Sequence, residues 1–137
     1  MKNDDVAELV HYRLEQARTA LDDARFLLDG HRSPLSIINR AYYAMFYAAL
    51  GLMQAVGRVP GKHTGVIALF DTEFVQKGIL PSTLSRDFHR GFEMRQRSDH
   101  RVTEPAIVER AEELLTKAER FVVAVRDHLQ NTSFPTD

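Results

Sequence analysis

The amino-acid sequence predicts an all-α fold, an up-and-down bundle of four or five helices. Apolar residues recur at alternating spacings of three and four in five segments, which is the pattern of helices that pack one face against a core. Runs of β-branched residues with alternating polarity, which are typical of strands, do not occur in the sequence. Short connections rich in Gly, Pro or Ser separate the segments, so consecutive helices are expected to be antiparallel neighbours.

The segment from Ser33 to Gly57 is the most apolar part of the chain and is the predicted central helix. Ser33 is its predicted N-cap, Pro34 its first helical residue and Gly57 its C-terminal stop. Two apolar lines run along it, so we expect the helix to be covered on two sides, inside the bundle or at a subunit contact. Its apolar run is shorter than the ~20 residues that cross a bilayer, so no membrane span is expected. The two lines are Leu35, Ile38, Tyr42, Met45, Ala49, Leu52 and Val56, and Tyr43, Phe46, Tyr47, Leu50 and Met53.

Four more amphipathic segments flank this helix. The first spans residues 4–29, where Asp5 and Glu8 resemble a capping box and Gly30 is the expected left-handed stop. The others are residues 62–77, which Gly78 ends, residues 83–97, which Ser82 caps, and a segment that follows the polar loop 98–103. The predicted core lines of the first and last segments are Val10, Leu14, Ala17, Leu21, Ala24 and Leu28, and Val108, Ala111, Leu115, Ala118, Val122, Val125 and Leu129.

The chain of 137 residues is expected to form one domain, residues 1–130, with a frayed tail, residues 131–137. It contains no cysteine, which excludes disulfides, thiolate zinc sites and cysteine nucleophiles and favours a reducing compartment. The first residues do not resemble a signal peptide, so the cytoplasm is the expected location. The formal net charge of −1 argues against a strongly basic nucleic-acid binder but permits a local basic patch.

Arg95 is the most informative residue, because it continues the apolar line of the fourth segment after Phe88, Gly91 and Phe92. An unpaired guanidinium in a dry core would cost several kcal/mol, so Arg95 must be paired or must open into a cleft or an interface. His100 follows five residues later, which gives an R-x4-H spacing.

Arg97 and Asp99 lie beside the histidine, so the two residues of the R-x4-H spacing stand in a small charged cluster. The structural alternative is that Arg95 pairs with a carboxylate such as Glu93 or Asp99, while His100 merely occupies a turn.

An arginine and a histidine suit the cleavage of RNA without a metal. Arginine can hold a phosphate through two donors and stabilise the charge that develops there, while histidine titrates near neutral pH and can move the 2′-hydroxyl proton. One histidine cannot easily serve as both base and acid, so two copies of the site in a symmetric dimer would be economical. The catalytic candidates are therefore Arg95 and His100.

Two further polar groups are candidates for binding a nucleotide or RNA. Lys62 and His63 stand at the start of the third segment, where free backbone donors favour an anion, although solvated basic residues at a helix start are the alternative. Asn39 and Arg40 stand beside Tyr42 and Tyr43 and could line a polar groove, although a pair of buried tyrosine hydroxyls with satisfied hydrogen bonds is the alternative. The other histidines show no metal-ligand spacing with a matching carboxylate, so no metal and no cofactor are predicted.

The stretches NRAYYAMFYAALGLM, GKHTGVIALFDTEFVQKGILP and FEMRQRSDH together resemble the HEPN domain family (higher eukaryotes and prokaryotes nucleotide-binding), in particular its small stand-alone prokaryotic members. The resemblance covers about residues 10–128. It implies a helical bundle, commonly a homodimer, and frequent pairing with a minimal nucleotidyltransferase as a toxin and antitoxin.

Family members with an R-x4-6-H motif act as metal-independent ribonucleases, and Arg95 and His100 match that motif here. This sequence departs from the family pattern in two places, which leaves alternatives open. Val102 stands where the toxin branch has a tyrosine that is nucleotidylated, and the stand-alone branch often has Asp-Tyr at the positions of Asp99 and His100. The leading hypothesis is a dimeric protein that binds RNA or nucleotide at Arg95 and His100, with endoribonuclease activity. The rivals are a non-catalytic module that docks a nucleotidyltransferase and a purely structural helical dimer.

Overall fold

The computed structural model describes residues 3–98 and 107–132. Within these ranges the chain forms five α-helices and no strand, which confirms the predicted all-α bundle. The helices are α1 (Asn3–Asp29), α2 (Pro34–Val56), α3 (His63–Phe70), α4 (Ser82–Ser98) and α5 (Ile107–Asn131), and a π-helical turn (Asp71–Val75) continues α3. The predicted site residues Asp99 and His100 lie outside the described residues, as does most of the predicted tail.

Helix α2 is the centre of the bundle, as the sequence predicts. It contacts α1, α3, α4 and α5, and both of its apolar lines contribute buried side chains. Tyr42 and Met45 on the first line are fully buried, whereas Tyr43, Phe46 and Tyr47 on the second line are only half-buried. The second line is therefore the edge of the core, where side chains still reach solvent. No helix in the described residues is long and apolar enough to span a membrane.

The helix ends differ from the predicted caps in three places. Helix α4 begins at Ser82, so Ser82 is its first helical residue rather than its N-cap. On α2 the predicted ends are confirmed: Ser33 is at the N-cap position, although its side chain makes no capping hydrogen bond, Pro34 begins the helix and Gly57 ends it in the left-handed conformation. The left-handed residue after α1 is His31, with φ of 55°, rather than Gly30. Helix α1 already begins at Asn3, so Asp5 lies inside its first turn, where its charge favours the helix dipole without a capping box.

Most residues of the predicted core lines are buried. Val56, in the last turn of α2, and Val108, in the first turn of α5, are about half exposed. Leu21, Leu28 and Leu35 are half-buried, and the remaining predicted core residues of α1 and α5 are buried. Periodicity identifies which face is apolar, but how far along the helix that face is covered depends on the partner helix.

The segment predicted as one helix over residues 62–77 contains the π-helical turn. Asp71 in this turn accepts hydrogen bonds from Ser85 Oγ at 2.7 Å and His89 Nε2 at 2.6 Å, which fasten the turn to α4. Both side chains contact the carboxylate rather than each other, so this Ser, His and Asp group lacks the nucleophile-to-base contact of a hydrolase triad. The predicted stop at Gly78 is confirmed by its φ of 76°.

An ion pair between a buried carboxylate and a half-exposed arginine joins α4 to α5. Asp87 is 4% exposed and is the buried charged residue of the described core, and its carboxylate accepts hydrogen bonds from Arg120 Nε and Nη2 at 2.8–3.1 Å. The two-nitrogen geometry compensates the loss of hydration around the carboxylate. This pair fixes the rotation of α4 about its own axis and so determines which residues of α4 face α2.

Gly91 lets α4 approach α2 closely just before Arg95. A Cβ atom at Gly91 would lie 2.6 Å from Met45 Cε, so the end of the Met45 side chain would have to move, and 3.4 Å from Tyr42 Cδ1, which is close contact. By contrast, a Cβ atom at Gly51 would have only ordinary contacts, the nearest at 3.6 Å. The close approach at Gly91 brings Arg95, one turn later, against the tyrosines of α2.

We expect Gly91→Val to lower the free energy of unfolding by about 2 kcal/mol, because the branched side chain overfills the contact between α4 and α2. Gly51→Ala is the matched control and is expected to raise stability by roughly 0.5–1 kcal/mol through helix propensity. Urea denaturation followed by circular dichroism measures both. Equal stability of the Gly91→Val variant and the unmodified chain would show that α4 does not need this close approach.

Candidate functional site

Arg95 lies on α4 with its guanidinium against two aromatic rings of α2. Its guanidinium carbon is 5.7 Å from the ring centroid of Tyr42 and 5.2 Å from that of Tyr43, which is cation–π geometry. Its Nε atom is buried and has no hydrogen-bond partner in the part of the chain that the structure describes. The apolar line of α4 that includes the buried Phe88 therefore continues with the half-buried, positively charged Arg95, as the sequence predicts.

The pairing of Arg95 with Glu93 that the sequence left open does not occur. No ion pair joins Arg95 to a carboxylate within residues 3–98 and 107–132, and Glu93 is exposed. A pairing with Asp99 lies outside the described residues. Within them, aromatic faces rather than a counter-ion hold the guanidinium, which leaves its positive charge unneutralised and available to an anion.

Tyr42 lies beneath this arginine and is fully buried. Burial raises the pKa of its phenol well above the ordinary value, and the opposing effect of the Arg95 charge is smaller. The phenol is therefore protonated throughout the physiological range. Its hydroxyl is 2.8 Å from Nδ1 of His63, and this is the hydrogen bond that the buried hydroxyl makes within the described residues.

His63 is the first residue of α3 and is packed among the rings of α2. Its imidazole stacks on Phe46 at a centroid distance of 4.1 Å and meets the ring of Tyr43 edge to face at 5.7 Å. Burial and, secondly, the positive charge of Arg95 lower the pKa of His63. The imidazole is therefore neutral at pH 7, because both the burial and the neighbouring positive charge disfavour the imidazolium.

The hydrogen bond from Tyr42 defines the tautomer of His63. A buried hydroxyl hydrogen needs an acceptor, and Nδ1 of His63 is the atom in position to accept it. The remaining proton of the neutral imidazole is then on Nε2, which can donate to a ligand. His63 thus contributes an uncharged hydrogen-bond donor beside the charged guanidinium of Arg95.

Arg40 approaches the same tyrosine from α2. Its guanidinium carbon is 5.4 Å from the ring centroid of Tyr43, and its Nε and Nη2 atoms donate to Asn39 Oδ1 at 3.1 and 3.0 Å. Tyr43 is therefore contacted by two arginines that lie far apart in the sequence. We call Asn39, Arg40, Tyr42, Tyr43, His63 and Arg95, together with Phe46, the arginine–aromatic site.

The structure brings together five of the nine residues predicted for the site, which are Asn39, Arg40, Tyr43, His63 and Arg95. Lys62 and Arg97 are exposed. Arg58, in the loop between α2 and α3 that also contains Lys62, pairs with Glu73 at 2.6 Å, so part of the positive charge of this loop is neutralised. No group of three His, Asp or Glu side chains among the described residues has the geometry of a metal site.

Tyr42 and Phe46 belong to the site, although the predicted site residues did not include them. Their positions on apolar lines of α2 mark them as core residues, and no local spacing joins them to His63. One signal was present in the sequence: a tyrosine on a buried line needs a partner for its hydroxyl, and histidines are suitable partners. Which histidine accepts the hydrogen bond of the hydroxyl depends on the path of the loop between α2 and α3.

The fold and the site define a small helical-bundle protein with an anion-attracting arginine on an aromatic platform. The family model described as HEPN domain matches residues 10–128 of this chain. A relative from Thermotoga maritima named "UPF0332 protein" is 35% identical over 124 residues, which cover 90% of this chain and 93% of the relative. This chain therefore belongs to the HEPN family, as its motifs indicate.

Two archaeal relatives carry names that refer to an activity. A Methanocaldococcus jannaschii protein named "Putative toxin MJ0605" is 30% identical over 128 residues, which cover 93% of this chain and 94% of the relative. A second protein from that organism, named "Putative toxin MJ0142", is 28% identical over 116 residues, which cover 85% of this chain and 78% of the relative.

We expect Arg95→Gln to raise the pKa of His63, because removal of the nearby positive charge relieves repulsion of the imidazolium. The pKa stays below its ordinary value, since burial persists. NMR titration of the His63 ring measures it, with His63→Gln to assign the signal. Arg86→Gln, an exposed residue on the same helix, is the control and leaves the pKa unchanged. An unchanged His63 pKa in Arg95→Gln would contradict the site geometry.

Proposed function

We propose that this protein binds RNA and cleaves it without a metal ion, as a toxin-type endoribonuclease in which Arg95 holds the scissile phosphate. The observation that carries this proposal is the guanidinium of Arg95, half-buried on Tyr42 and Tyr43 and without a carboxylate partner among the described residues. An arginine in such a place is stabilised by ring faces but keeps its charge for a ligand. The names of the two archaeal relatives support the toxin assignment.

In the proposed reaction the 2′-oxygen of one nucleotide attacks its own 3′-phosphorus. The bond from phosphorus to the 5′-oxygen of the next nucleotide breaks, which leaves a 2′,3′-cyclic phosphate and a 5′-hydroxyl. His100 removes the 2′-hydroxyl proton, and a second acid returns a proton to the leaving 5′-oxygen. Arg95 stabilises the extra negative charge on the phosphate oxygens during the transfer.

The other predicted site residues take supporting roles in this proposal. His63 donates a hydrogen bond from its neutral imidazole to a phosphate or sugar oxygen beside Arg95. Arg40, oriented by Asn39 and the ring of Tyr43, attracts a neighbouring phosphate. Lys62, Arg97 and Asp99 are assigned to the outer part of the RNA-binding surface on the basis of their sequence positions.

We further propose that the active form is a homodimer in which the His100 of a second copy supplies the second acid. The reaction itself supports this proposal, because it needs both a base and an acid, and a two-fold dimer brings two copies of His100 to the reaction. Sedimentation at micromolar concentration tests the homodimer, and a monomer contradicts it.

By the family resemblance, a nucleotidyltransferase encoded nearby is the proposed antitoxin partner. The proposed location is the cytoplasm, where RNA is available.

We expect the purified protein to cut single-stranded RNA in excess EDTA. His100→Ala is expected to lower the rate by roughly 10²-fold or more, because it removes the proton-transfer group. Arg95→Lys is expected to lower it to a comparable extent, roughly 10²-fold, since a lysine keeps the charge but loses the two-donor geometry. Arg86→Gln is the control. Gel analysis of labelled RNA measures the rates.

Two results would contradict the nuclease assignment. Equal cleavage by the wild type and His100→Ala would remove His100 from the reaction. Absence of cleavage, together with a stable complex with a neighbouring nucleotidyltransferase, would favour a non-catalytic interaction module.

A further inference from the structure

A groove between α1 and α2 adjoins the arginine–aromatic site and has no role in the cleavage chemistry above. Arg40 belongs to both, because it lies against the ring of Tyr43 and also lines the groove together with Tyr12, Gln16 and Tyr47. The groove encloses about 290 Å³, near the lower limit of typical small-molecule sites. A ligand bound at Arg95 can therefore continue past Tyr43 and Arg40 into this groove.

The groove offers aromatic ring surface. Tyr12 on α1 is 54% exposed, so part of its ring is open to a ligand. The guanidinium carbon of Arg13 lies 5.7 Å from the centroid of the Tyr12 ring and supports it. Tyr47 lies opposite on α2, half-buried, with its ring centroid 5.7 Å from that of Tyr43. Rings of this kind bind unpaired bases by stacking.

The polar groups in the groove are held in defined orientations. Arg13 Nη1 donates to Gln16 Oε1 at 2.8 Å, and Gln16 Nε2 donates to the Tyr12 hydroxyl at 3.4 Å. The hydrogen of the Tyr12 hydroxyl therefore remains available to donate. Glu15 also lines the groove, and its carboxylate can only accept hydrogen bonds; His11 Nε2 lies 3.9 Å away from it.

We propose that this groove is a base-binding subsite, which takes one unpaired base of a single-stranded RNA whose neighbouring phosphate lies at Arg95. Tyr12 and Tyr47 contact the ring of the base, and Glu15 and Gln16 contact its polar edge. The proposal rests on the RNA-binding function proposed above and adds to it a position on the protein that selects the nucleotide.

The charges favour RNA over other occupants. Two arginines, Arg40 and Arg95, contact the ring of Tyr43, so both can reach neighbouring phosphates of one strand. Nη1 of Arg40 has no hydrogen bond within the described residues, which leaves it free to donate. Glu15 repels a phosphate, so the base rather than the backbone enters the groove.

Glu15 also gives the subsite a predicted preference. A carboxylate accepts hydrogen bonds from the amino groups of adenine, cytosine and guanine, whereas uracil offers only its N3–H, which stands between two carbonyl oxygens that repel the carboxylate. The subsite therefore disfavours uracil. Because Glu15 is exposed and competes with water, the expected discrimination is modest, roughly threefold to tenfold in affinity.

The test measures binding of short fluorescent oligonucleotides with 2′-O-methyl groups, which cannot be cleaved, to the full-length chain at fixed pH and salt. Tyr12→Ala is expected to weaken binding of the adenine oligomer by roughly fivefold or more, because it removes a stacking ring. Tyr12→Phe keeps the ring and is expected to stay within about twofold of the wild type. Phe26→Ala, which removes another exposed ring of α1 outside the groove, is the matched control.

The oligomer of uracil tests the base preference. The wild type is expected to bind it less tightly than the adenine oligomer, and Glu15→Gln is expected to remove most of that difference. Circular dichroism confirms that each variant is folded. Tyr12 and Glu15 are largely exposed, so loss of the fold is not expected from either change.

The outcomes separate this inference from the proposed function. If Arg95→Gln weakens binding but Tyr12→Ala and Glu15→Gln match the wild type, the phosphate site stands and the base subsite is overturned. If Tyr12→Ala instead converts a dimer to a monomer with unchanged RNA affinity, the groove is a subunit contact and the inference is overturned. If the wild type binds neither oligomer, the proposed RNA-binding function and this inference both fail.

Discussion

The structure depends on the contact of one arginine with two tyrosines. The guanidinium of Arg95 lies against Tyr42 and Tyr43 instead of a carboxylate of the described chain, so the bundle stabilises a cation without neutralising it. A salt bridge in this place would satisfy the arginine and leave nothing for a ligand. Ring faces stabilise the positive charge, and the Nε donor of Arg95 has no hydrogen-bond partner among the residues that the structure describes.

Several other features of the bundle adjoin this contact. The ion pair of Asp87 with Arg120 fixes the orientation of α4, and Gly91 allows α4 to lie close to α2. The buried hydroxyl of Tyr42 extends the contact to His63, whose lowered pKa follows from burial and from the charge of Arg95. A cation, a neutral donor and flat aromatic surface are thereby combined without a metal cluster in the described residues.

The sequence predicted the fold well because helical periodicity is a local signal. The central position of α2 follows from its two apolar lines, and Arg95 could be recognised because it interrupts such a line. Non-local pairings could not be predicted in the same way. The bond between Tyr42 and His63 depends on the path of the intervening loop, and the π-helical turn at Asp71 depends on its partners Ser85 and His89 on α4. The choice of His31 over Gly30 as the left-handed residue is likewise a detail of loop geometry.

The most direct test of the central claim is the salt dependence of RNA binding. Each phosphate contact on a single strand adds about 0.7 to the slope of log affinity against log salt concentration. If Arg95 holds a phosphate, Arg95→Gln makes the slope shallower by about 0.7, while Arg86→Gln leaves it unchanged. An identical slope for Arg95→Gln and the wild type would contradict the account, because the guanidinium would then contact no phosphate.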